Sequence, residues 1–170
     1  MTADFSIVFD GNNKHEPLGF ADVSWASDLD SRRSTTGYVF FINNSVVSWK
    51  SKRQPTVATS STEAEYMASY SATQEAVWLH LLLSNRGIVP EAGTTIYEDN
   101  QGCITLQRTR CFTQEKNTST SNFIFFAKKV VEDVIELEYV PTDQMVADGL
   151  TKELGRVKHE KFLKGLHLET

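Results

Sequence analysis

At 170 residues the chain suits one domain with a single core, and 40% apolar with 23% charged residues is a globular composition rather than a disordered or fibrous one. No apolar run is long enough to cross a bilayer, and the N-terminus MTADFSIVFDG lacks the basic start and long apolar stretch of a secretory signal. The expectation is therefore a soluble intracellular protein, cytoplasmic or nuclear, with no membrane partner. A net charge of −5 argues against a dedicated nucleic-acid binder, which needs clustered Lys and Arg, but not against an enzyme that recruits cations to an acidic site.

Strand-like segments come first: Phe5 to Phe9, Leu18 to Val23, Gly37 to Ile42 and Val46 to Trp49. Asn43-Asn44 join the last two, and because Asn tolerates left-handed backbone the later three segments read as a meander. A long helix follows from about Ser61 to Arg86, with Ser60 and Glu63 at capping-box spacing and Gly87 as its stop. Ala68, Ala72, Ala76, Leu79 and Leu83 form one stripe facing a sheet, and Glu65 continues that stripe while Glu63 falls on another face.

Thr94 to Asp99 reads as a strand feeding a short helix, Gln101 to Arg108. The polar stretch Thr113 to Asn122 then caps an amphipathic helix from Phe123 to about Glu132. Ile135 to Val140 is a further strand, stopped by Pro141; Asp143 to about Lys152 reads as helix, and the tail around His159, Phe162, Leu163 and Leu166 as another. Strands and helices in this order make an α/β mixed sheet. The expected limits are one domain over 1–170, with an N-terminal extension over 1–15 and a C-terminal helical tail over 153–170.

Four segments, GFADVSW, SSTEAEY, YEDNQ and VADGLTK, place Asp22, Glu65, Asp99 and Asp148 near strand ends or helix starts. Carboxylates gathered at one spot repel one another and persist if cations neutralise them; Mg²⁺, held by protein carboxylates, water and phosphate, is the usual choice. Ligands in open α/β sheets gather beyond the carboxyl ends of parallel strands, so Asp22 and Asp99 emerge side by side if their strands are parallel neighbours. Singly, each acid has a plainer explanation. Asp99 or Asn100 can cap the next helix, Asp22 can start a turn, Glu65 can favour the helix dipole and Asp148 can be a solvated helix residue.

Arg32-Arg33 and Trp49-Lys50-Ser51-Lys52-Arg53 are the clear basic clusters before the C-terminus. Aromatic and basic side chains together can grip a nucleic-acid backbone, although a solvated strand end looks the same in sequence. Arg156, Lys158, Lys161 and Lys164 read as a solvated helical face. Cys103 and Cys111 are too few for a disulfide framework and wrongly spaced for zinc.

The stretches GFADVSWASDLDSRRSTTGYVFFI, SWKSKRQPTVATSSTEAEYMA, EAVWLHLLL, IYEDNQGCI, IELEYVPTDQMVADGLTK and KHEKFLKGLHL cover nearly the whole chain. In them the chain resembles the ribonuclease H domain of copia-type LTR retrotransposon Pol polyproteins. That resemblance implies a ribonuclease H-like fold: a five-stranded mixed sheet flanked by helices, with Phe5 to Phe9 outside the five. It implies catalytic, metal-holding roles for Asp22, Glu65, Asp99 and Asp148, with two Mg²⁺ ions, or Mn²⁺ as substitute. Hydrolysis of the RNA strand of RNA–DNA hybrids follows, beside a reverse transcriptase domain in the same polyprotein. Arg32, Arg33, Trp49, Lys50, Lys52 and Arg53 become the candidate substrate contacts. Two departures stand out: Ser24 where relatives often carry a second Asp, and TQEKNTSTSNFIF where they carry a basic, His-containing segment. The second of these supports a rival reading, a domesticated or decayed module that binds or scaffolds without useful catalysis.

Overall fold

The computed structural model describes residues 4–9, 17–88, 92–112, 129, 132 and 134–169. Strands β2 (Leu18–Ser24), β3 (Thr35–Ile42) and β4 (Ser45–Arg53) form the expected antiparallel meander. Each outruns its apolar pattern because backbone pairing continues into polar ends. Asn43 and Asn44 have φ of 52° and 61°, the two successive left-handed residues that a tight hairpin turn requires. Strand β1 is shorter than expected, Ser6–Ile7.

Helix α1 (Ser61–Asn85) starts where Ser60 Oγ accepts a bond from the Glu63 amide at 3.1 Å, and Gly87 follows its end at φ 78°. Glu63 turns its carboxylate back to the Thr59 amide and hydroxyl, both at 2.6 Å, which completes the cap one residue earlier than a standard box. The buried side of α1 carries Glu65, Ala68, Ala72, Ala76, Leu79 and Leu83, the stripe read from the sequence, and also Ala64.

Strand β5 (Thr94–Glu98) leads into helix α2 (Gln101–Phe112), and β6 (Ile135–Tyr139) pairs parallel to β5. The expected helix over Phe123 to Glu132 and the polar stretch before it lie outside the described residues apart from Lys129 and Glu132. The helix expected over Asp143 to Lys152 is instead two 3-10 turns, Thr142–Gln144 and Val146–Leu150. Met145 takes extended backbone between them and drops its buried side chain beside Val140 and Ala147, so burial of one residue breaks the helix. Helix α3 (Arg156–Gly165) and strand β7 (Leu168–Glu169) complete the order.

The five-stranded sheet runs β4-β3-β2-β5-β6, mixed because β5 and β6 lie parallel to β2. One face packs Ala21, Tyr38, Phe40, Ile96 and Leu137 under α1. The other packs Val39, Phe41 and Val46 under Val146, Leu150 and Leu166. Strands β1 and β7 pair with each other outside this sheet, so the N-terminal extension and the tail hold one another. Both dock on the β3–β4 hairpin: Ser45 Oγ donates to the Val8 carbonyl, and His167 Nδ1 to the Asn44 carbonyl at 2.6 Å.

Gly37 sits opposite Asp22 on β3, under the Val146–Leu150 turn. A Cβ there would lie 2.6 Å from Thr151 Cγ2 and 3.0 Å from Leu150 Cβ. Gly37→Ala is therefore expected to cost roughly 1–3 kcal/mol in chemical denaturation by overpacking. Gly155→Ala, with nothing within 4 Å of the added carbon, should cost under about 1 kcal/mol.

Candidate active site

The register of the β2–β5 pair aligns Phe20 with Tyr97, so two residues further the parallel strands bring Asp22 level with Asp99. Asp22 lies two residues inside the end of β2 rather than at it, on the face covered by the Val146–Leu150 turn, and is 1% exposed. Asp99 follows the last residue of β5. The capping role belongs to its neighbour: Asn100 Oδ1 accepts from the Cys103 amide at 2.9 Å. Asp99 is left free for other contacts, and its Oδ2 accepts from Thr142 Oγ1 at 2.7 Å.

Glu65 comes from the second turn of α1 and is buried, while Glu63 is exposed. One ligand oxygen from each of Asp22, Glu65 and Asp99 lies within 4.8 Å of the others. Glu65 Oε2 is buried with no hydrogen-bond partner. A buried oxygen left unpaired inside an all-carboxylate set fits a hard divalent cation, which takes oxygen ligands and supplies the missing charge.

Electrostatics record the same crowding. Burial pushes the Glu65 carboxyl up to about 9, and the charges of Asp22, Glu98 and Asp99 add to the rise. Asp22 is raised to about 6, again by burial first, against the lowering effects of its Thr151 bond and of Lys152. Behind them Glu98, fully buried on β5, is raised to about 7 by burial while Ser69 Oγ of α1 donates to it at 2.8 Å.

Asp148 does not join the group of three. It lies in the second 3-10 turn, ion-paired to Lys152 Nζ, which also stands 3.7 Å from Asp22 Oδ2. Thr151 Oγ1 donates to Asp22 Oδ2. For Lys152, burial pulls the ammonium's pKa down, but the Asp148 bond and the charges of Asp22, Asp148 and Asp99 outweigh it and leave it raised. Sequence reasoning missed Thr142, Thr151 and Lys152. Only the four-residue spacing of Asp148 and Lys152 signalled anything, since the contacts to Asp22 and Asp99 cross the fold.

The candidate substrate contacts divide. Arg33, Lys50, Lys52 and Arg53 line one groove of about 470 Å³ between β4 and α1, together with Tyr66 and Tyr70. Lys50 Nζ donates to Ser71 Oγ at 3.1 Å, and Arg53 is paired to Asp28 at 2.8 Å. Trp49 points to the opposite sheet face, where it lines an apolar cavity with Ile7, Phe162 and Leu166, because neighbours on a strand alternate sides. Arg32 is exposed outside the groove, with left-handed backbone at φ 56°.

No protein-family model matches the chain. It is 32% identical over 161 residues to the retrovirus-related Pol polyprotein from transposon RE2 of Arabidopsis thaliana, covering 95% of this chain and 11% of that protein. A Pol polyprotein from transposon TNT 1-94 of Nicotiana tabacum is 32% identical over 151 residues, 88% of this chain and 11% of that protein. The chain is homologous to retrovirus-related Pol polyproteins of copia-type transposons. It therefore spans about a tenth of the length of these Pol relatives. The secreted RxLR effector protein 161 of Plasmopara viticola is 53% identical over 78 residues, 46% of this chain and 55% of that protein.

Solved structures agree on the fold of this chain. LC11-RNase H1 in complex with an RNA/DNA hybrid superposes with a TM-score of 0.56 at 16% identity, over 80% of this chain and 94% of that one. The foamy viral protease-reverse transcriptase in complex with an RNA/DNA hybrid gives 0.54 at 15% identity, over 81% of this chain and 20% of that one. The fold is ribonuclease H-like. Among the described residues no helix is long and apolar enough to cross a membrane.

A raised carboxylate pKa has a definite sign for stability. Folding holds the Glu65 and Asp22 protons more tightly than the unfolded chain does, with its carboxyls near ~4. Their contribution is full below that value and is lost as pH rises, through about 6 for Asp22 and about 9 for Glu65. In chelator, the melting temperature of Glu65→Gln should thus gain on the parent's steadily between pH 5 and pH 9. Glu63 runs the other way: its Thr59 bonds lower its pKa and stabilise above the usual carboxylate range. A Glu63→Gln difference that grows like that of Glu65→Gln would reverse the assignment of the inward glutamate.

Proposed function

We propose that this chain is a metal-dependent ribonuclease H, an endonuclease that hydrolyses the RNA strand of RNA–DNA hybrids during reverse transcription of a copia-type element. The observation that carries the reading is the convergence of Asp22, Glu65 and Asp99 within 4.8 Å, with a buried Glu65 oxygen left unpaired. The Pol relatives and the hybrid-bound structural neighbours support it. Because the chain covers 11% of those relatives, we propose that it works beside a reverse transcriptase domain of the same polyprotein.

Asp22 would hold both of two Mg²⁺ ions, with Glu65 and Asp99 completing the first and Asp148 the second; Mn²⁺ would substitute. Such ions supply a nucleophilic water and charge stabilisation at the leaving 3′-oxygen of an in-line displacement. The chain's own residues prepare the place. Thr142 and Thr151 hydrogen-bond one oxygen each of Asp99 and Asp22, which fixes their rotamers. The groove lined by Arg33, Lys50, Lys52 and Arg53 gives an otherwise acidic protein a local cationic surface for phosphates. RNA would be told from DNA by its 2′-hydroxyl across the shallow minor groove.

Asp99→Asn removes one ligand charge with little change of shape. Cleavage of a labelled hybrid in Mg²⁺ should fall more than about 100-fold, beyond the loss typical of outer-shell partners, while Glu63→Gln stays within about threefold of the parent. A folded parent that leaves hybrid, single-stranded RNA and duplex DNA all intact would instead favour a non-catalytic module.

Binding should weaken steeply with salt, and Lys50→Gln or Lys52→Gln should each lower the slope of log affinity against log salt by about 1. Trp49→Ala, on the opposite face, is expected to leave that slope as it is. Fluorescence anisotropy with a labelled hybrid over a salt series reads both.

A further inference from the structure

We propose that Lys152 is a built-in counter-ion of the acidic cluster: its ammonium holds Asp148 and Asp22 in the metal-free protein and yields them as a second divalent cation binds, so that Lys152 sets the affinity of that second site. This rests on the reading above that these carboxylates hold metal.

Two sides of the cluster are differently provided for. On the side of Glu65 and Asp99, Glu65 Oε2 is buried with no hydrogen-bond partner, so an arriving cation breaks no ion pair among the described residues there. On the side of Asp148, the ammonium of Lys152 pairs with Asp148 and stands 3.7 Å from Asp22 Oδ2. A cation shared by Asp22 and Asp148 has to take the electrostatic position that this ammonium fills.

Local backbone keeps Lys152 there. Its amide donates to the Asp148 carbonyl at 3.2 Å, closing the turn that carries both side chains. Thr151, one residue earlier, is anchored to Asp22 by its hydroxyl. Thus Asp148, Thr151 and Lys152 are held together over β2. Displacing the ammonium is nonetheless easy. The Lys152 side chain is 41% exposed, so its flexible stem can turn the charge into water without leaving a buried unpaired ion. The expected behaviour is ordered loading: a first cation at Asp22, Glu65 and Asp99, then a weaker second one against the competition of Lys152.

The test is metal binding by the full chain, with no substrate, by Mg²⁺ calorimetry and Mn²⁺ electron paramagnetic resonance. Lys152→Met should strengthen the weaker binding step by about two- to fivefold, the range of a partly exposed ion pair, while lowering the melting temperature of the metal-free protein. Lys152→Arg should keep the parent's second affinity within about twofold. Lys152→Gln gives the same readout as Met should the Met variant fold poorly. Second-site affinity that is unchanged or weaker in both Met and Gln overturns the counter-ion role, since a merely structural lysine would lower stability and strengthen no metal step. Hybrid cleavage by the parent separates the failures. A parent that cleaves hybrid while the Met and Gln variants bind metal no better loses only this inference, whereas a parent that binds neither cation loses this inference and the metal-dependent reading together.

Discussion

Three carboxylates share a space less than 5 Å across at the top of a sheet, and two of them are almost wholly shut away from water. Like charges so placed raise one another's pKa and oppose folding, so the scaffold must force the approach. It does so with backbone. The in-step parallel pairing of β2 and β5 fixes Asp22 and Asp99 side by side, and packing of the Ala68, Ala72, Ala76 face of α1 leaves Glu65 no direction but inward. The crossover through α1 is what allows β5 to return beside β2 in the parallel sense.

Directly below the acids lies a second polar layer. Ser69 bonds Glu98, Thr73 Oγ1 bonds the Ser69 carbonyl, and Gln54 Nε2 bonds both Thr36 Oγ1 and the Ala64 carbonyl. Each such bond contributes about 1 kcal/mol net, but loss of one partner strands a buried polar group at a cost of about 1–3 kcal/mol. Within it the Ser69–Glu98 and Gln54–Ala64 bonds tie α1 to the strands beneath, while the Thr73 bond stays inside the helix. Glu75 does similar work further along the helix, accepting from Tyr38 at 3.0 Å and Ser48 at 2.6 Å to tie α1 to the meander.

The two sheet faces carry different tasks. The α1 face holds Glu65 and, between α1 and β4, the cationic groove. On the opposite face the 3-10 turns bring Asp148, Thr151 and Lys152 to Asp22, and the paired termini cover the hairpin end. Asp22 and Asp99 each meet both sides, sharing the cluster with Glu65 of α1 and accepting hydroxyl bonds from Thr151 and Thr142 on the side of the turns.

Much of this was legible in the sequence because it depends on local period and turn chemistry. Alternation marked β2 to β6, the alanine stripe marked the buried side of α1 and with it Glu65, and the Asn43-Asn44 pair marked the hairpin. The sequence by itself thus determined strands β2 to β6, the helices α1, α2 and α3, the α/β class and the four acids worth watching. Tertiary structure alone decided the rest. Met145 broke a helical pattern because its side chain was wanted in the core. Asn100 took the cap that Asp99 was free to take, and Lys152 met Asp22 across the fold. These outcomes hang on contacts between residues up to 130 positions apart, and no spacing along the chain encodes which distant neighbour a side chain will meet.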